Sequence, residues 1–165
     1  MTDSTLAVRQ TDFENQMPKQ VYEGALNFAE AQAEAERIAG VEYATVVLNP
    51  YAPLNQDKSP LVDRPFVIRH VRFQTDKVTG ANYLNMWVVR DDDALFRVTD
   101  GSTGIYAQMT QLVEERLDSD HPTPYDGFIV ANGLRFSEYG LDKNNKAVDL
   151  GDKTAVSKGT TYYLN

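Results

Sequence analysis

Three short β-patterned runs follow one another between Phe66 and Thr99, and they restrict the fold more than any other feature of the chain. Phe66–Gln74 (FVIRHVRFQ), Asn82–Arg90 (NYLNMWVVR) and Ala94–Thr99 (ALFRVT) are rich in β-branched and aromatic residues. Thr75-Asp76-Lys77-Val78-Thr79-Gly80 separates the first from the second, and Asp91-Asp92-Asp93 the second from the third. After the loop Asp100-Gly101-Ser102-Thr103-Gly104, Ile105–Leu117 carries Ile105, Met109, Leu112 and Val113 on one helical face. Phe128–Ala131 and Leu134–Tyr139 then flank Asn132-Gly133, a strong hairpin signal. A polar loop through Gly151 leads to a last strand, Thr160–Leu164. The order strand, strand, strand, helix, strand, strand predicts a mainly β fold with two helices. It is the order of an OB-fold-like five-stranded barrel (β-β-β-α-β-β).

The region before Phe66 is expected to append a helix and a strand to that barrel. Residues 1–20 are polar without a sustained period and are expected to form a flexible arm. Residues 21–165 are expected to form a single OB-like domain with a helical extension at about 24–39. In that extension Phe28, Ala31, Ala35 and Ile38 recur at three- and four-residue spacing. A stripe made mostly of alanine packs closely but weakly, which favours a lid on the barrel core over a DNA-binding helix. Val41–Leu48 is β-branched and predicts a strand, while Pro50, Pro53 and Pro60 make 49–63 a proline-rich loop. No apolar run approaches the ~20 residues needed to cross a bilayer. The first ten residues lack the basic and apolar regions of a secretory signal, and the absence of cysteine rules out disulfides and thiolate chemistry. A cytoplasmic protein without a membrane partner is expected.

No residue pattern supports catalysis, a metal or a cofactor. The two histidines, His70 and His121, have no cysteine partners and no HExxH spacing. Asp91-Asp92-Asp93 suits a solvated turn better than a cation site. A metal-dependent enzyme using the aspartates, the weakest of three readings, would need metal bound after dialysis and loss of activity on changing Asp92 or Asp100. Asp142-Lys143-Asn144-Asn145-Lys146 begins like a calcium loop, but Lys146 occupies a ligand position and Ala147 replaces the turn glycine. The loop Asp100–Gly104 lacks the Gly-Lys-Ser/Thr ending of a P-loop, so Ser102 or Thr103 is expected to be an ordinary helix N-cap.

What remains is an interleaving of bases with aromatics. Arg64, Arg69, His70, Arg72, Lys77, Arg90 and Arg97 alternate with Phe66, Phe73, Tyr83, Trp87 and Phe96. Strict strand alternation places Leu84, Met86 and Val88 on a core face and Tyr83, Asn85 and Trp87 on the other. The same rule groups Arg69 with Val67, Val71 and Phe73, and His70 and Arg72 with Ile68. Tyr162 and Tyr163 must point to opposite faces, one into the core and one outward. Bases stack on aromatic faces for about 1–3 kcal/mol each while a basic groove follows the phosphates. Arg69, Arg72, Lys77, Tyr83, Trp87, Arg90 and Arg97 are therefore the candidate nucleic-acid-binding residues. The formal net charge of −8 argues against a uniformly basic surface but leaves room for a local groove. Tyr83 and Trp87 suit a buried core or an oligomer interface equally well, and the residues alone leave that choice open.

The stretches PFVIRHVRFQ, NYLNMWVVR, LFRVTDGSTGIYAQM, GFIVANGLRFSEYG and TTYYLN resemble phage-encoded single-stranded DNA-binding proteins of the OB type, particularly small ones from actinobacterial phages. The resemblance covers about residues 62–165 and rests on element order and texture. It implies a homo-oligomer that coats single-stranded DNA, with RNA as the open alternative, during phage replication or recombination in the host cytoplasm. Many such proteins recruit partners through an acidic C-terminal tail. Here the last residues are Tyr163-Leu164-Asn165, and the acids Asp3, Asp12 and Glu14 lie at the other end. The competing expectation is a protein–protein interaction module, a virion component or a host-factor antagonist, which the acidic composition and the 49–63 loop suit equally.

Overall fold

The computed structural model describes residues 6–11, 27–39, 54–55, 57–101 and 104–165. The expected strand at 41–48, the side chain of Ile38, and Pro50 and Pro53 lie outside them. Within the stretch expected to be a flexible arm, residues 6–11 form a helical segment, α1, with Leu6 and Gln10 buried. A second helix, α2, spans Phe28–Ala39, and a third, α3, spans Ile105–Asp118. The strands are β1 (Leu54–Asn55), β2 (Phe66–Thr75), β3 (Asn82–Arg90), β4 (Leu95–Asp100), β5 (Asp126–Val130), β6 (Leu134–Leu141), β7 (Ala147–Val148) and β8 (Ser157–Leu164). The described residues are thus mainly β, with three helical segments where two were expected.

The strands form two sheets, and neither closes on itself. The larger runs β1-β4-β3-β2-β5, with β1 parallel to β4 and every other pair antiparallel. The smaller is antiparallel and runs β7-β6-β8. The expected hairpin around Asn132-Gly133 is instead a corner between sheets. The turn exists, with Gly133 at φ 70, but β5 pairs with β2 while β6 pairs with β8. The cause is packing against the segment before β2. A Cβ on Gly133 would lie 2.4 Å from the backbone N and O of Arg64, and Val62 forms a parallel bridge with Leu134. Only glycine permits that approach at positive φ.

A bulge in β2 decides which side chains face which way. Ile68 pairs with Val88, but His70, not Arg69, pairs with Trp87. The extra residue is Arg69, so the alternation restarts one position later. Phe66, Ile68, Val71 and Phe73 consequently all enter the core with Leu84, Met86, Val88 and Val98. Ile105, Tyr106, Met109 and Val113 of α3, Tyr125, and Leu134 of β6 complete that core. The expected core triad Leu84, Met86 and Val88 is present, whereas Leu112 of the expected helical face is 39% exposed. On the opposite sheet face, α2 sets Ala31 and Ala35 against Val67 and Val89. The alanine stripe therefore acts as a lid, as expected, but on the outer face of the larger sheet.

Two glutamine amides close strand edges. Gln10 Nε2 donates to Val71 O at 2.8 Å while its Oε1 accepts from Phe73 N at 2.8 Å, where β2 extends past β5. Gln108 of α3 makes the same pair of bonds to Leu164 of β8, at 3.2 Å and 2.7 Å. Each side chain substitutes for a neighbouring strand, and buried backbone groups need such partners. At the start of α3, the expected caps Ser102 and Thr103 lie outside the described residues. Buried Asp100 accepts the Tyr106 N–H at 2.9 Å and sits 3.6 Å from Lys58. That helix end is therefore already served by a carboxylate.

Candidate nucleic-acid interface

Helix α2 covers β5, β2 and the adjoining end of β3, and the rest of that outer face continues past it as three cross-strand rows. The first is His70–Trp87–Arg97, the second Arg72–Asn85–Thr99 and the third Gln74–Tyr83, each set by antiparallel register. All eight side chains are partly exposed. Because the bulge shifts β2, His70, Arg72 and Gln74 join Trp87, Asn85 and Tyr83 on this face rather than sharing a face with Ile68. The rows carry no carboxylate. The first acid met across the face is Asp126 of β5, whose Oδ1 engages His70 Nδ1.

Within the rows the rings and bases are held in definite relations. The His70 and Trp87 rings are tilted at 44° with centroids 5.8 Å apart. Arg97, directly across from Trp87, forms no ion pair among the described residues, and its Nε is buried without a hydrogen-bond partner. The indole Nε1 of Trp87 is also buried and unpartnered. Two N–H donors in one row therefore lack acceptors, each at a cost of about 1–3 kcal/mol. In the next rows Thr99 Oγ1 donates to Asn85 Oδ1 at 2.5 Å, and Asn85 Nδ2 donates to Gln74 Oε1 at 2.6 Å.

The structure assembles part of the expected set and separates the rest. Arg72, Tyr83, Trp87 and Arg97 share the face. Lys77 is exposed in the β2–β3 turn, just beyond the Gln74–Tyr83 row. Arg90 lies on the opposite face of β3, stacked 5.0 Å from the Phe96 ring centroid and bonded to Pro60 O and to both oxygens of Asp92. Arg69, the bulge residue, is only 5% exposed and lies 3.9 Å from Glu34 of α2. Burial, the largest influence on both, pushes Glu34 up and Arg69 down from their ordinary pKa values; Arg37 opposes the first shift and Asp126 the second. Arg69 and Arg90 therefore hold the fold together rather than line the face.

The aspartate turn is likewise structural. Asp91 accepts from Arg64, Asp92 from Arg90, and Asp93 takes the Phe28 N–H at the start of α2. Asp142 folds the β6–β7 turn by accepting from Asn144 N and Lys146 N. His70, Gln74, Asn85 and Thr99 are the members of the face not among the expected binding residues, although strand alternation had already set Asn85 beside Tyr83 and Trp87. The sequence signal for Thr99 was its shared alternation with Arg97, whereas the bulge that admits His70 and Gln74 is marked only by the spacing of Phe66, Ile68, Val71 and Phe73, which no straight strand puts on one face. No family model matches the chain, and no curated protein or solved structure matches it significantly.

Proposed function

We propose that the part of the larger sheet's outer face left uncovered by α2 among the described residues binds single-stranded nucleic acid, DNA in the first instance, by base stacking on Tyr83 and Trp87 and phosphate contact at Arg97 and Arg72. The observation that carries this reading is the His70–Trp87–Arg97 row, where a partly exposed aromatic ring lies between two bases and no carboxylate stands in the row. A stackable ring beside a cation suits the base and the phosphate of an unpaired nucleotide. Tyr83 stands four residues from Trp87 on the same strand, about 13 Å away, so a second base can stack along the same path. Lys77 extends the cationic path past Tyr83.

An OB-type barrel belongs to this proposal. Such barrels bind through the faces of their second and third strands, which correspond here to β3 and β4. A role in phage replication or recombination, a homo-oligomeric state and a cytoplasmic setting belong to it too. No helix among the described residues is long and apolar enough to cross a membrane.

Fluorescence anisotropy with a labelled oligo-dT is the direct test. Trp87→Ala and Tyr83→Ala each remove one stacking ring, and each is expected to weaken binding by about 1–3 kcal/mol while leaving the melting profile cooperative. A native protein that fails to bind at low salt rejects the proposal. The second reading, a protein-interaction module, is favoured by Phe136, which stands 51% exposed on β6 of the smaller sheet. A stable protein complex that survives nuclease and high salt, and that Phe136→Ser disrupts, would support it.

A further inference from the structure

We infer that the two stacking positions differ in selectivity: the Trp87 position accepts any base, whereas the Tyr83 position prefers keto bases (thymine, uracil or guanine) over cytosine and adenine. This rests on the nucleic-acid reading and narrows its substrate. Trp87 is flanked across the sheet by His70, whose Nδ1 engages Asp126, and by Arg97, which the nucleic-acid reading assigns to phosphate, so neither is given to a base edge. Tyr83 lies directly opposite Gln74, with side chains rooted about 5 Å apart.

The direction of hydrogen bonding sets what Gln74 offers. Thr99 gives its hydroxyl proton to Asn85 Oδ1, and Asn85 in turn gives an Nδ2 proton to Gln74 Oε1. The relay occupies the Gln74 carbonyl oxygen and leaves its Nε2, with two N–H donors, in the row whose other member is Tyr83. A base stacked on Tyr83 therefore presents its edge to donors only. Thymine, uracil and guanine meet them with a carbonyl oxygen at the 4- or 6-position. Cytosine and adenine place an amino group there, and donor then faces donor.

The test compares oligo-dT with oligo-dC of equal length, about 12 nucleotides, by fluorescence anisotropy on the full-length protein. The native protein is expected to bind dT about fivefold more tightly than dC, the size of one neutral hydrogen bond. Gln74→Ala is expected to lower dT affinity to the dC level and leave dC nearly unchanged. Gln74→Glu, which replaces donors by acceptors, is expected to invert the dT/dC ratio even as its charge weakens both. Gln74 is a partly exposed surface residue of the sheet, and circular dichroism checks that the variants remain folded. Equal binding of dT and dC, tighter binding of dC, or a Gln74→Ala loss shared by both oligomers would overturn the inference while leaving nucleic-acid binding intact. Absence of binding to either oligomer would overturn the binding reading together with it.

Discussion

Two arginines with the same side chain and similar sequence surroundings have opposite tasks, and the difference is a matter of position. Arg97 stands in a cross-strand row with no carboxylate, whereas Arg69 is buried beside Glu34 under α2. Arg97→Ala is expected to reduce the salt dependence of single-strand affinity by about 0.7 in logarithmic slope, one phosphate contact, with little change in thermal stability. Arg69→Ala is expected to leave that slope unchanged and to destabilise the fold by about 1–3 kcal/mol, because Glu34 loses its cationic partner. Salt titrations paired with thermal melts separate the two outcomes. Gly133 is a different kind of critical residue. At φ 70, with Arg64 backbone atoms 2.4 Å from where a Cβ would sit, Gly133→Ala is expected to cost more than about 1 kcal/mol and to lower the urea midpoint.

Among the secondary-structure elements, the pattern that alternates strictly was legible and the pattern that breaks was not. In β3 the alternation of Leu84, Met86 and Val88 with Tyr83, Asn85 and Trp87 is regular, and the structure follows it. In β2 an extra residue at Arg69 reverses the downstream half, so that Val71 and Phe73 turn inward while Arg72 and Gln74 turn outward. Read with its apolar partners taken together, Phe66, Ile68, Val71 and Phe73 hold the only clue, since no straight strand puts all four on one face. The Asn132-Gly133 signal foretold a turn but not its partners, which depend on Arg64 and Val62 far along the chain. Nor could composition foretell that residues 6–11 would be tied down. Gln10 does this by bonding Val71 and Phe73. Gln10→Ala strips two buried backbone groups of their partners, and a loss of about 1–3 kcal/mol per group is expected, with hydrogen exchange at the Phe73 amide accelerated.

For the molecule as a whole, the net charge is −8, yet the described acids lie largely in turns and helices, and Asp126 is the one that engages the aromatic–basic face, through His70. Asp76 and Asp152 accept turn N–H or hydroxyl bonds, and Asp92 accepts from Arg90, so all three hold their protons less tightly than the ordinary 3.8. His121 is pushed below 6.5 by burial first and by Arg116 second. In each case the unfolded chain takes up protons at a higher pH than the folded one. Their contributions are therefore complete above the unfolded values and are lost as pH falls. Thermal stability is expected to decline first below about pH 6.5 as His121 becomes charged in the unfolded chain, and again below about pH 4 with the aspartates. His121→Asn should remove the first decline.

Trp87 is the sole tryptophan of the chain, so its emission reports on the proposed face alone. Titration of the native protein with unlabelled oligo-dT at low and at high salt is expected to quench that emission saturably, with an affinity that falls steeply as salt rises. An emission that does not change at low salt, under conditions where the protein is folded, would contradict stacking at Trp87 and with it the assignment of this face.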